Sequence, residues 1–223
     1  MPIYDFHTHT FLSDGELSPM ELIRRAVVKG YRAIGITDHV GLADQARIIP
    51  ILVEECQRAM SRWDIIAIPG VEITHLPPSL IPEAAEKARS LGARLVVVHG
   101  QTITEPVEEG TNKAAVESGR VDVLAHPGLI SAEDARGAAR GGVYLEVSAR
   151  KGHSLTNGYV VRQAQAAGAR LLLDSDAHSP EDLLTEEWVQ QVARGAGLAG
   201  EDLYAVLEAH PKQLLEKLGY HLT

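Results

Sequence analysis

Five times along the 223 residues one unit recurs: a helical stretch, a glycine, one or two residues, then a short apolar run. Lys29-Gly30-Tyr31-Arg32 precedes AIGIT, Leu91-Gly92-Ala93-Arg94 precedes LVVVH, and Ser118-Gly119-Arg120 precedes VDVLAH. Arg140-Gly141-Gly142 precedes VYLEV, and Ala167-Gly168-Ala169-Arg170 precedes LLLDS. Glycine just past a helix end takes the left-handed cap without a Cβ penalty, so each unit reads helix, cap, strand. With 2–6 and 64–69 added, the candidate strands are 2–6, 33–37, 64–69, 95–98, 121–125, 143–147 and 170–173. Most are near-continuous apolar runs, the pattern of strands buried on both faces. Ser18-Pro19-Met20-Glu21 supplies the clearest helix start, with a cap, a proline at the first helical position and a capping-box glutamate. Strands alternating with helices, with no obvious switch point, predict an α/β fold that closes into a distorted barrel rather than an open sheet. The tail 183–223 reads as two or three helices packing on that barrel, Pro211 starting the last, so 1–223 reads as one domain.

Composition narrows the function. At 45% hydrophobic residues and this length, a chain buries about 70% of its unfolded surface and needs no staples. Thirty acidic residues against 21 basic ones give a net charge of −9, and no basic run is longer than a pair. Duplex nucleic-acid binding through a phosphate-neutralising face is thereby disfavoured. The single cysteine, Cys56, forms no internal disulfide, and no apolar stretch approaches a membrane span. The N-terminus lacks a signal-peptide pattern, and the expectation is a cytoplasmic protein without membrane partners.

The polar residues gather where the strands end. His7 and His9 follow the first strand, Asp38-His39 the second and Pro69-Gly70-Val71-Glu72 the third. His99 ends the fourth, His126 the fifth, and Asp174-Ser175-Asp176-Ala177-His178 the last. In a parallel barrel these ends share one face, so six of the ten histidines converge there. Imidazole and carboxylate without thiolate suit zinc, manganese or iron. Six histidines with Asp14, Glu72 and Asp176 are too many for one ion at about four to six ligands each, which implies two or three.

In this order, D-F-H-T-H, S-D-G, I-T-D-H, P-G-V-E, V-V-H-G, A-H-P-G and D-S-D-A-H resemble the motifs of the PHP (polymerase and histidinol phosphatase) superfamily, from Tyr4 to about Ser179. The resemblance is to its compact, histidinol-phosphatase-like form. It implies a distorted (β/α)7 TIM-like barrel, a trinuclear metal centre at the C-terminal ends of the strands, and phosphoester hydrolysis. Carried over by position, it gives His7, His9, Glu72 and Asp176 to a first ion. Glu72, His99 and His126 would hold a second, and Asp14, His39 and His178 a third.

Several residues lie beside this set. Asp174 reads as a carboxylate that orients a ligating histidine, Glu146 is open, and Gly15 and Gly70 read as turn residues. His75, His153, His210 and His221 read as surface or capping residues. Arg150 and Lys151, after the one strand with no ligand behind it, are candidate phosphate grips. Asp176, His178 and Arg150 are the candidate catalytic residues. The mechanism expected is attack by a metal-bridged hydroxide on a small phosphorylated substrate, such as histidinol phosphate or a nucleoside monophosphate. Three alternatives stand beside it: a 5′–3′ exonuclease on short oligonucleotides, a non-catalytic metal-binding module acting with a partner protein, and a metal-dependent hydrolase of a C–N or lactone bond, for which a lysine at a strand end would be looked for and none is found. The sequence does not reveal the oligomeric state.

Overall fold

The computed structural model describes residues 1–222, with the element order the glycine punctuation requires. The strands are β1 (Ile3–Asp5), β2 (Tyr31–Ile36), β3 (His39–Val40), β4 (Ile66–Ile73), β5 (Leu95–His99), β6 (Val123–Ala125), β7 (Tyr144–Ser148) and β8 (Leu171–Asp174). All pair in parallel along the path β1-β2-β4-β5-β6-β7-β8, with β3 joined to the upper half of β4. The seven strands expected are present; the two-residue β3 is an addition. The sheet closes without a full ladder. Thr8 bridges Ala177, the Phe6 N–H donates to Asp174 Oδ1 at 2.6 Å, and the Ser175 N–H donates to Asp5 Oδ1 at 3.0 Å.

The helices α1 (Pro19–Val28), α2 (Gln45–Met60), α3 (Ile81–Ser90), α4 (Thr111–Glu117), α5 (Ala132–Gly141) and α6 (Asn157–Ala167) surround the sheet. Gly30, Gly92, Gly119, Gly142 and Gly168 follow helices with φ between 65° and 108°, the backbone their sequence positions demanded. Ser18 Oγ accepts from the Glu21 N–H at 3.2 Å, but Glu21 pairs with Arg25, so the capping box is half made. The tail forms α7 (Glu186–Gly195), α8 (Gly200–Tyr204), a π-helical turn over Ala205–Ala209, and α9 (His210–Lys217).

One expectation is corrected. The P-G-V-E segment is not a turn after β4 but its upper half, and Gly70 pairs with Leu95 inside the sheet. A Cβ on Gly70 would lie 2.9 Å from the Leu95 carbonyl oxygen, so glycine is there for strand packing, not for a turn.

Along each strand alternate residues face the barrel axis, and their character changes with height. Ile68 gives way to Glu72, Leu95 and Val97 to His99, Tyr144 to Glu146, and Leu172 to Asp174. The lower positions join Tyr4, Phe6 and Val123 in one buried apolar cluster, which Leu214, Leu215 and Leu218 of the C-terminal segment close from below. The upper positions form the polar floor of a cleft.

Candidate metal centre

The cleft opens at the C-terminal strand ends, encloses about 530 Å³ and is lined by Asp14, His39, His75, His99, Glu105, His126, Arg150, His153, Asp176 and His178 among others. His7, His9 and Glu72 lie beneath, fully buried. H-x-H is locked by the threonine between: Thr8 Oγ1 donates to the Gly35 carbonyl at 2.6 Å, and the Thr8 N–H donates to Thr37 Oγ1 at 3.1 Å. His7 Nδ1 lies 2.6 Å from Glu146 Oε2, which fixes the ring and leaves Nε2 aimed at Glu72 Oε2, 3.3 Å away, and Asp176 Oδ1, 3.8 Å away. His9 Nε2 stands 3.2 Å from Asp176 Oδ1 and 3.7 Å from Glu72 Oε2. These four residues, assigned together by the resemblance, are together in space.

The third assigned group also assembles. His9 is stacked between His39 and His178, with ring centroids 4.2 and 4.1 Å away. His39 Nε2 and His178 Nε2 reach Asp14 Oδ1 at 3.5 and 3.2 Å. Asp14 is held out by Asp38, whose carboxylate accepts from the Thr10 N–H, Thr10 Oγ1 and Ser13 Oγ at 2.8, 2.8 and 2.6 Å. The aspartate of I-T-D-H therefore shapes the loop that carries the donor.

The second group is arranged differently. His126 Nε2 lies 3.5 Å from Glu72 Oε1, whereas His99 Nε2 faces Glu105 Oε2 at 3.1 Å. Backbone conformation sets the bends: His126 and Asp176 have φ of 26° and 54°, which residues with a Cβ rarely adopt.

Charge is balanced within the cluster. Burial opposes charge on Glu72 and Asp176, yet the surrounding imidazoles hold both well below the usual carboxylate range. Burial likewise disfavours protonated His7, but Glu72, Glu146 and Asp176 raise it well above an ordinary histidine. His9 goes the other way, pushed down to about 3 by burial. Five buried donor atoms here lack any hydrogen-bond partner: His7 Nε2, His9 Nδ1, His9 Nε2, Glu72 Oε1 and His126 Nδ1. Buried polar atoms are nearly always paired, so a knot of unpaired imidazole and carboxylate atoms fits divalent cations. Donor atoms of His7, His9 and Asp176, of His7, Glu72 and His126, and of His9, Asp14, His39 and His178 each lie within 4.8 Å of one another.

The amino-acid sequence matches the family model for the PHP domain over residues 5–149. The chain belongs to the PHP family. Metal-dependent hydrolysis is the chemistry of that family, and the donor clusters above are the places where this chain can hold metal. The Methanocaldococcus jannaschii protein MJ1295 is 47% identical over 216 residues, covering 96% of this chain and 99% of that one. The 5′–3′ exoribonuclease Rnm of Escherichia coli is 32% identical over 143 residues, 63% of this chain and 44% of Rnm. Among solved structures, the metal-dependent tyrosine phosphatases YwqE of Bacillus subtilis and CpsB of Streptococcus pneumoniae share the fold. That likeness has a TM-score of 0.63 at 17% identity and covers 99% of this chain and 96% of theirs.

Other side chains fall where the sequence reading did not put them. Glu146, left open, orients His7. Asp174, read as an orienting carboxylate, instead closes the barrel through the Phe6 N–H, and burial with the like charges of Glu146 and Asp5 holds it well above the usual range. Asp5, pushed up to about 7 by burial, is a further carboxylate at that seam. His153 is no surface residue: it is buried, stacked on His126 at 4.0 Å, and burial brings it down to about 4. His75 lines the cleft, while His221 is exposed and His210 Nδ1 pairs with the Leu171 carbonyl at 2.9 Å. Arg150 is in the cleft, its Nη1 donating to the Asp176 carbonyl at 3.0 Å and lying 2.7 Å from His178 Nδ1. Lys151 is exposed and outside the lining. Glu105, which belongs to no motif, reaches the cleft from the loop after β5.

Proposed function

We propose that this chain is a metal-dependent phosphoesterase that hydrolyses a small phosphomonoester with two or three zinc, manganese or iron ions. The observation that carries it is the convergence of five unpaired buried donor atoms on the cleft floor. Divalent ions there would supply an activated water and shield phosphate charge. His7, His9, Glu72 and Asp176 would hold one ion, with Glu146 fixing the His7 ring. Asp14, His39 and His178 would hold another, and Glu72, His126 and His99 the remaining one. Arg150 is the one arginine or lysine among the described lining residues. Its contacts with Asp176 and His178 support a grip on a phosphoryl oxygen beside the ions. Lys151 is exposed and outside the cleft lining, so phosphate binding falls to Arg150 alone. A volume of about 530 Å³ falls in the range of small-molecule sites, roughly 300–1,000 Å³.

The likeness to Rnm favours a second reading, a 5′–3′ exonuclease on short RNA. Against it, no phenylalanine, tyrosine or tryptophan is among the described lining residues, and base stacking needs such platforms. Phe11, exposed beside the lining residue Leu12, is the nearest in sequence. A non-catalytic module is the weakest reading, since every donor position of the motifs is filled.

Phosphate release by the manganese-, zinc- and iron-loaded chain separates these readings. The substrates are histidinol phosphate, nucleoside 5′-monophosphates, 3′,5′-bisphosphates and short 5′-phosphorylated RNA. The reading expects turnover of a small monoester. Stepwise mononucleotide release from RNA would move it to the exonuclease, and silence at full metal occupancy would discard both.

A further inference from the structure

At the mouth of the cleft the motif histidine His99 stands beside two donors that no motif of the sequence contains, His75 and Glu105. Glu105 Oε2 lies 3.1 Å from His99 Nε2 and 3.6 Å from His75 Nε2, and the donor atoms of these three residues are mutually within 4.8 Å. Two donors bound to one zinc-sized ion at about 2.1 Å, at angles between square and tetrahedral, sit about 3.0–3.4 Å apart. The separations observed are close to that. His99 Nδ1 lies 3.2 Å from the Gly100 carbonyl, an acceptor that takes its proton and leaves the Nε2 lone pair for a ligand.

His75 adds an independent mark. Three residues other than glycine have positive φ among those described: His126, Asp176 and His75, the last at 52°. The first two carry donors of the buried centre. A left-handed histidine is a costly conformation, retained where its side chain must be aimed. His75 follows the end of β4, and its ring centroid is 4.9 Å from that of His99.

We propose that His75, His99 and Glu105 hold a divalent cation of the zinc, iron or manganese type at the cleft mouth, so that the ion on His99 is coordinated from the rim. Two imidazoles and one carboxylate are a common donor set for such ions, with open positions left for water or substrate oxygen. Glu105 Oε1 meanwhile faces His153 Nε2 at 3.4 Å, and His153 Nε2 stands 3.7 Å from Asp176 Oδ2. One carboxylate thus connects the rim site to the buried donors. The inference rests on the reading of the cleft as a metal centre.

The test is a metal count on the full-length chain, stripped with a chelator and dialysed against buffered free Zn²⁺ that saturates the wild type. His75→Ala and Glu105→Gln are each expected to bind one ion per chain fewer than wild type, or to hold that ion at least tenfold more weakly. The deeper ions stay, and cobalt substituted at the rim loses its absorption in the same variants. Glu105→Asp regains part of the loss. Both side chains are partly exposed, and circular dichroism with the melting temperature confirms that the variants fold. Unchanged counts and affinities in both variants, with ions lost in His7→Ala, would overturn the rim site alone. Loss of every ion in both would overturn it too, by showing that they act on the whole cluster. A wild type that binds no zinc would overturn the metal centre itself.

Discussion

The lower and upper halves of the barrel interior are built on the same strands and face the same axis, yet they solve opposite problems. Below, Tyr4, Phe6, Ile68, Leu95, Val97 and Leu172 meet Leu214, Leu215 and Leu218, and burial is favourable residue by residue. Above, Glu72, His7, His9 and His126 are buried too but leave donor atoms unpaired, an arrangement that costs free energy until something binds. The apolar half supplies the stability that the polar half spends. A polar floor of this kind is tolerated because one or two register steps down β4, β5, β7 and β8 return to hydrocarbon at Ile68, Val97, Tyr144 and Leu172.

The largest effect that sharpens this contrast belongs to Glu72. It faces His7, His9, His39 and His126 at once, so Glu72→Gln is expected to lose more metal per chain than His178→Ala and to abolish phosphate release. Elemental analysis of the two variants checks it, and equal losses would break the assignment of Glu72 to two ions. In the lower half the expectation reverses. Leu214→Ala should cost about 2–5 kcal/mol by urea unfolding while metal content stays at the wild-type value. A drop in metal content there would show that the two halves are not separable. Arg150→Ala should lower kcat/KM about 10- to 100-fold, the worth of a charge-assisted hydrogen bond of roughly 1.5–3 kcal/mol, with metal content unchanged. Unaltered kinetics on the true substrate would remove Arg150 from the site.

The smallest effect is in pH. Burial holds His210, at the foot of β8, below the usual imidazole value. In the window between its folded value and the unfolded value of about 6.5 the unfolded chain binds the extra proton, so stability falls as pH drops through 6.5. His210→Asn should flatten the melting temperature against pH just below about 6.5. A slope identical to wild type would assign the pH dependence to the upper half instead.

The barrel was legible because its punctuation is local: glycine caps and apolar runs need no tertiary context. The motif residues were legible because strand ends in such a fold share one face. His75, Glu105 and His153 were not, since each is brought in by a loop whose path depends on backbone choices such as the left-handed His75. The one available signal was the absence of a ligand behind β7, which pointed to Arg150 and Lys151 and stopped two residues short of His153. Glu146 stayed open and the orienting role went to Asp174 because alternation places both on the axis, and only the seam between β1 and β8 decides which carboxylate meets the Phe6 N–H and which meets His7.

The most direct measurement is a metal titration of the chelator-stripped chain, counting bound ions and phosphate released from a small phosphomonoester in the same samples. The account predicts no release from the stripped chain, and release that rises with occupancy and requires more than one ion per chain. Release that survives complete stripping, or full occupancy with no release from any monoester or 5′-phosphorylated RNA, would contradict it.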